Sequence, residues 1–174
     1  MTFQIYSEET APPRSRETLA KVQNDMGYVP DLLGVFAQSP SLLTAYMAMD
    51  EGMKQSSLTP VEREVALKTA GHMTACAWCA SAGLNDNRDI PAEISRSAEQ
   101  GRRLDDAKLE ALRQYTVSLM QNHGRPSDEA KRNFIDAGYG PQQALDIVLA
   151  AGMMTVAAMA ASLAHSVLES RIRH

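Results

Sequence analysis

Residues 58–73 read LTPVEREVALKTAGHM and contain the clearest helix start in the chain. Thr59 is a favoured N-cap residue, and Pro60 suits the first helical position. Glu62 lies three residues after Thr59, where its carboxylate completes a capping box. Val61, Val65 and the region 67–69 add an apolar stripe. The stretch therefore predicts an amphipathic helix whose start is set by its own side chains.

Helix signals continue on both sides of this stretch. Ser15 predicts a cap for a helix that stops at Gly27, Pro30 and Pro40 predict two further starts, and Ser127 predicts another cap. Later helices are predicted within residues 90–101, 104–124, 126–138 and 140–172. No stretch alternates with the period of two that a half-buried strand needs. The sequence predicts an all-α fold, a compact multi-helix bundle in one domain over residues 1–174.

Charge and hydropathy indicate which classes of protein this sequence belongs to. The 174 residues carry a net charge of −4 without a Lys/Arg cluster, so nucleic-acid binding is not expected. The N-terminus lacks a secretory signal, and a cytoplasmic location is expected. Residues 147–164 contain no charge and are long enough to cross a bilayer. They are mostly small, weakly apolar residues without an aromatic belt, so a buried helix in a soluble homo-oligomer is expected rather than a membrane span.

The only two cysteines form a CxxC pair, Cys76 and Cys79, in CAWCASAG at residues 76–83. Three uses stay open: a redox dithiol, a metal clip, or packing of two small buried side chains. If Thr74 caps a new helix, the cysteines lie in its first two turns, where the helix dipole favours thiolate. A zinc site could recruit His72 but lacks a fourth ligand, so no metal is expected. No nucleotide-binding motif is present, and no organic cofactor is expected.

Glu64 lies twelve residues before Cys76, on the capped helix. Glu62 has a local task in the cap, whereas Glu64 has none. A solvated surface side chain is the ordinary interpretation of such a residue. A proton-accepting carboxylate near the thiols is the alternative.

The pattern E-x11-C-x2-C, from Glu64 to Cys79, resembles the core of the alkylhydroperoxidase D-like family within the carboxymuconolactone decarboxylase superfamily. LTPVEREVALKTA just upstream, GYVPDLLGVFAQSPSLLTAYM at 27–47 and FIDAGYGPQQALDIVLAAGMMT at 134–155 support this likeness. The resemblance covers roughly residues 20–165. It implies an all-α fold that assembles as a trimer or hexamer.

The resemblance also implies a thiol peroxidase that reduces hydroperoxides through a dithiol/disulfide cycle. Cys79 would attack the peroxide, Cys76 would resolve the sulfenic acid as a disulfide, and Glu64 would belong to a proton relay. A separate disulfide-reducing protein would return the electrons.

Gly83 departs from the family pattern, which places a relay histidine four residues after the second cysteine. Three interpretations compete. His72 could substitute, since it lies one turn before Cys76 and shares its face if the helix is continuous; Glu64 and a water could suffice; or peroxidase activity is weak or lost. Two rival functions follow: a lactone decarboxylase-like lyase that uses a carboxylate and a histidine, and a non-enzymatic stress-related protein that keeps the fold.

Overall fold

The structure is a computed structural model that describes residues 2–74, 90–165, 167 and 168. These residues form helices and contain no strand, which confirms the all-α prediction. The helices are α1 (Pro13–Met26), α2 (Asp31–Phe36), α3 (Pro40–Lys54), α4 (Pro60–Met73), α5 (Ala92–Glu99), α6 (Ala107–Gln121), α7 (Asp128–Asp136) and α8 (Pro141–Leu163).

Local sequence signals set most of the helix ends. The predicted starts at Pro40, Thr59 and Ser127 are confirmed, and Gly27 ends α1 in the left-handed conformation. The predicted cap at Ser15 is wrong, because α1 already begins at Pro13. Ser15 lies buried inside the helix, and its hydroxyl donates a 2.8 Å hydrogen bond to the Ala37 carbonyl. Its side chain therefore serves a tertiary contact rather than a helix end.

The chain divides into two compact units, Met1–Glu51 with Met159–His174, and Gly52–Ala158. The first unit has a core around Leu19, Leu32 and Leu43. The rings of Phe36 and Tyr46 pack edge to face in this unit, with their centroids 5.0 Å apart. The prediction of one domain over residues 1–174 stays a prediction.

The second unit is built around α4, which packs against α5 and α6. Val65, Ala66 and Ala70 of α4 are fully buried, as is Leu112 of α6. The small side chains of α4 allow this close packing. The unit therefore holds α4 on two sides and fixes which of its side chains face inward.

Helix α8 is long and apolar enough to cross a membrane by length and composition alone, with a mean hydropathy of 1.9 over its most apolar window. Within that window, 39% is buried inside the protein. Ile147, Ala150 and Met153 are buried, whereas Leu145 and Val148 are 70% and 50% exposed. One face of α8 thus contributes to the core, and another presents apolar side chains at the surface.

Candidate functional site

The start of α4 is fixed by a complete capping box. The Glu62 backbone N–H donates to Thr59 Oγ1 at 3.3 Å, and Glu62 Oε2 accepts 2.8 Å hydrogen bonds from the Thr59 backbone N–H and hydroxyl. This is the arrangement that the sequence predicts, and it satisfies donors that a helix start otherwise leaves unpaired. The box sets the register of every later residue of α4.

Glu62 also reaches beyond its own helix. Its Oε1 accepts a 3.0 Å hydrogen bond from the Tyr139 hydroxyl and lies 3.0 Å from Lys108 Nζ. Burial acts to raise the pKa of Glu62, but the hydrogen bonds from Thr59, Lys108 and Tyr139 outweigh it and lower the pKa. Glu62 is therefore a charged, saturated structural carboxylate.

Glu64, two residues later, is buried to the same degree, with 5% exposure. The interpretation of a solvated Glu64 is thus wrong. Its Oε1 accepts a 2.9 Å hydrogen bond from the Ser95 hydroxyl on α5. Neighbouring Arg63 does not neutralise it, because that guanidinium donates to the backbone carbonyls of Lys54 and Leu58.

Among the described residues, no other side chain or backbone N–H donates to the Glu64 carboxylate. A buried carboxylate usually has a cation or several donors, because an uncompensated buried charge is costly. Within the described chain, the one donor to Glu64 is the neutral Ser95 hydroxyl, and no described cation pairs with it. A buried carboxylate of this kind is a candidate for proton transfer.

One face of α4 runs along α5. Glu64, Lys68 and His72 recur every four residues, and side chains at this spacing share a helix face. Glu64 meets Ser95, Lys68 Nζ lies 4.0 Å from Glu99 Oε2, and His72 Nδ1 donates to the Glu99 carbonyl at 3.0 Å. The two sequence-predicted site residues in the described chain, Glu64 and His72, therefore lie on this face.

His72 is held at the far end of the same face. Its Nδ1 is engaged by the last carbonyl of α5, and its ring lies directly against Gly101. A Cβ at Gly101 would lie 2.5 Å from His72 Nε2, and Gly101 also has a positive φ of 67°. The contact thus demands glycine for two reasons, conformation and space.

Glu64 and His72 are not brought into contact. Eight residues separate them along α4, a rise of about 12 Å, and each hydrogen-bonds a different partner. The condition that would put His72 on the face of Cys76 is also not met, because α4 ends at Met73. A role for His72 in proton transfer stays a prediction.

Three residues singled out in the sequence, Cys76, Cys79 and Gly83, lie outside the described residues. The assignment of the two cysteines as a redox pair therefore stays a prediction. Within residues 2–74, 90–165, 167 and 168, no group of three or more His, Cys, Asp or Glu side chains is arranged to hold a metal ion.

Two features of the buried polar network escape prediction from sequence. Ser95 contacts Glu64 across 31 positions, and no local pattern marks it. Glu110 is a third buried carboxylate, which accepts hydrogen bonds from Arg113, Gln114 and the Leu104 backbone N–H. Burial acts to raise the pKa of Glu110, but these donors outweigh it and lower the pKa. Like Glu62, Glu110 is fully compensated.

The fold matches solved structures over almost the whole chain. A crystal structure of an uncharacterized peroxidase-related protein from Silicibacter sp. TM1040 superposes with a TM-score of 0.77, covering 95% of this chain and 88% of that one at 17% identity. An alkylhydroperoxidase AhpD core, an uncharacterized peroxidase-related protein from Ralstonia eutropha JMP134, gives a TM-score of 0.76, with coverage of 92% and 88% at 16% identity. The chain has the alkylhydroperoxidase D-like fold. The fold implied by the resemblance of Glu64…Cys76-x2-Cys79 is thereby confirmed.

No protein-family model matches the chain, and no curated protein matches it. At 16–17% identity the alkylhydroperoxidase D-like neighbours share the fold with this chain, and a shared fold does not by itself fix an activity.

Proposed function

We propose that this protein is a thiol-dependent peroxidase that reduces hydroperoxides through a dithiol/disulfide cycle of Cys79 and Cys76. The observation that carries the proposal is that the Glu64 carboxylate is buried on α4, which precedes the CxxC motif in the sequence. Among the described residues, its hydrogen-bond donor is the neutral Ser95 hydroxyl of α5. The peroxidase-related names of the two structural neighbours agree with it.

In the proposed cycle, Glu64 accepts the proton of the Cys79 thiol, directly or through a water. The thiolate attacks one peroxide oxygen, the O–O bond breaks, and the leaving oxygen takes a proton to depart as an alcohol or water. Cys79 becomes a sulfenic acid. The Cys76 thiol then loses its proton and its sulfur attacks the Cys79 sulfur. The S–S bond forms, the S–O bond breaks, and the leaving hydroxide takes that proton and departs as water. A cytosolic disulfide-reducing protein returns two electrons and two protons.

Gly83 stands where the family places a relay histidine. We propose that Glu64 and a water molecule carry out the proton transfer in its place. His72 donates to the Glu99 carbonyl about two helical turns from Glu64, so a direct Glu64–His72 relay has no support. The same separation disfavours a lyase site built from Glu64 and His72 around one small pocket.

The test is consumption of hydrogen peroxide and an alkyl hydroperoxide with dithiothreitol as reductant. We expect Cys79→Ser to abolish turnover. Cys76→Ser should react once and accumulate a sulfenic acid that dimedone traps. Unchanged turnover in Cys79→Ser, or inert thiols in the wild type, would exclude the peroxidase and leave the lyase or the non-enzymatic alternative.

We further propose that the protein is a homo-oligomer, a trimer or hexamer, which uses the exposed face of α8. Leu145 and Val148 are large apolar side chains at the surface, three residues apart on one face. Sedimentation analysis should give an oligomeric mass for the wild type and a lower mass for the double variant Leu145→Asp/Val148→Asp. A monomeric wild type would exclude this assembly.

A further inference from the structure

Three buried carboxylates in the described part of the second unit are held in two ways. Glu62 and Glu110 each accept several hydrogen bonds, including one from a cationic side chain. Glu64 accepts one, from the neutral hydroxyl of Ser95. Ser95 is therefore the only described side chain that sets the position of the Glu64 carboxylate through a hydrogen bond.

The location of Ser95 suits this task. It lies on α5, which packs directly against α4, so the donor comes from a different helix and fixes the carboxylate across the interface. The hydroxyl engages Oε1, and Oε2 receives no hydrogen bond from the described residues.

We infer that Ser95 is a positioning residue for proton transfer: its hydrogen bond fixes the Glu64 carboxylate, which in the proposed cycle accepts the thiol proton of Cys79. In this step the S–H bond breaks, the proton passes to a Glu64 oxygen, and the electron pair stays on sulfur. The inference rests on the proposed function, since it assigns Ser95 a place in the same proton path. A lysine or arginine at this position would instead pin the carboxylate as an ion pair.

The test follows the reactivity of Cys79 alone, in full-length protein that carries Cys76→Ser. Two rates are measured against pH: alkylation by iodoacetamide and sulfenic acid formation with hydrogen peroxide. Ser95→Ala removes the donor, and Ser95→Thr keeps a hydroxyl. Ser97→Ala is the matched control, because Ser97 is a buried serine on the same helix and does not hydrogen-bond the Glu64 carboxylate.

We expect Ser95→Ala to lower both rates about tenfold at neutral pH, as for loss of one hydrogen bond to a charged group, and to change the shape of the pH profile. Ser95→Thr should recover to within about threefold of the parent, the difference that a shifted hydroxyl allows. Ser97→Ala should match the parent. In a Glu64→Gln background, Ser95→Ala should cause no further loss, because Ser95 acts through Glu64. Thermal unfolding checks that each variant is folded.

The outcomes separate this inference from the proposed function. If Ser95→Ala reacts like the parent while Glu64→Gln is slow, or if Ser95→Ala causes the same loss in both backgrounds, the inference is wrong and the peroxidase stands. If the alkylation rates follow the expected pattern but peroxide is not reduced, the peroxidase is wrong and the role of Ser95 stands. If Glu64→Gln changes neither rate, the role of Ser95 is overturned with that of Glu64.

Discussion

Glu62 and Glu64 are two positions apart on α4 and equally buried, yet they are held in opposite ways. Glu62 makes four polar contacts, two with Thr59, one with Lys108 and one with Tyr139, which lies 77 positions away in the sequence. Glu64 accepts one hydrogen bond within the described chain, from Ser95. Burial alone therefore does not mark a functional carboxylate; the number and charge of its partners separate the two.

The largest stability effect should come from Glu62. Glu62→Gln removes the negative charge that Lys108 and Tyr139 contact, and leaves buried donors poorly paired, so we expect a loss of about 2–3 kcal/mol in the free energy of unfolding. Glu64→Gln keeps an oxygen that accepts the Ser95 hydrogen bond, so it should change the free energy of unfolding by less than about 1 kcal/mol. Urea unfolding at one fixed protein concentration measures both. Equal losses would remove the distinction between the two glutamates.

Protonation of Glu62 at low pH should remove its contribution to the free energy of unfolding. The folded-state pKa of Glu62 is lowered, so its carboxylate stabilises the protein above its unfolded-state pKa of about 4.3, and this stabilisation is lost as the pH falls through the folded-state value. Glu110 adds the same dependence. We expect the unfolding free energy of the wild type to decrease as the pH falls below about 5, and less steeply in Glu62→Gln. Identical slopes in the two proteins would contradict the assignment.

The contact between His72 and Gly101, at the end of the α4–α5 face, should have a smaller effect on the free energy of unfolding. Gly101→Ala should cost about 1–2 kcal/mol for the left-handed backbone, and more where the new Cβ displaces the His72 ring. Gly124→Ala is the matched control, because Gly124 also has a positive φ but a Cβ added there would meet no described atom within 4 Å. The difference between the two variants should vanish in a His72→Ala background. A difference that persists there would show that His72 is not the obstacle.

His72 itself should give the smallest change in rate. Because its Nδ1 donates to the Glu99 carbonyl and its ring lies against Gly101, His72→Ala should lower peroxide reduction by less than about threefold, well below the hundredfold or more typical of a lost general base. Steady-state assays with dithiothreitol measure it. A loss as large as that of Glu64→Gln would restore the histidine relay.

Local signals made much of this molecule predictable. Thr59, Pro60 and Glu62 define the start of α4 because a capping box uses residues within one helical turn. The Glu64-to-Cys79 spacing also led to the correct fold, through its resemblance to a family. Ser15 misled the prediction, since a serine near a helix start can serve as a cap or as a tertiary donor, and only the fold decides.

The environment of Glu64 was not predictable in the same way. Its burial and its bond to Ser95 depend on how α5 packs against α4, and the two residues are 31 positions apart. His72 and Gly101 show the same limit: the glycine looks like an ordinary helix stop, but its second role depends on a ring from another helix. Glu62 and Glu64 differ in their hydrogen-bond partners, and most of these partners are distant in the sequence.

The most direct test of this difference is the rate at which Cys76 and Cys79 lose their free thiols after one equivalent of hydrogen peroxide. Glu64→Gln and Glu62→Gln are compared with the wild type at a temperature where all three are folded. We expect Glu64→Gln to slow the loss about a hundredfold, and Glu62→Gln to remain within about threefold of the wild type, because its carboxylate holds the fold. A Glu64→Gln variant that reacts as fast as the wild type would contradict the account.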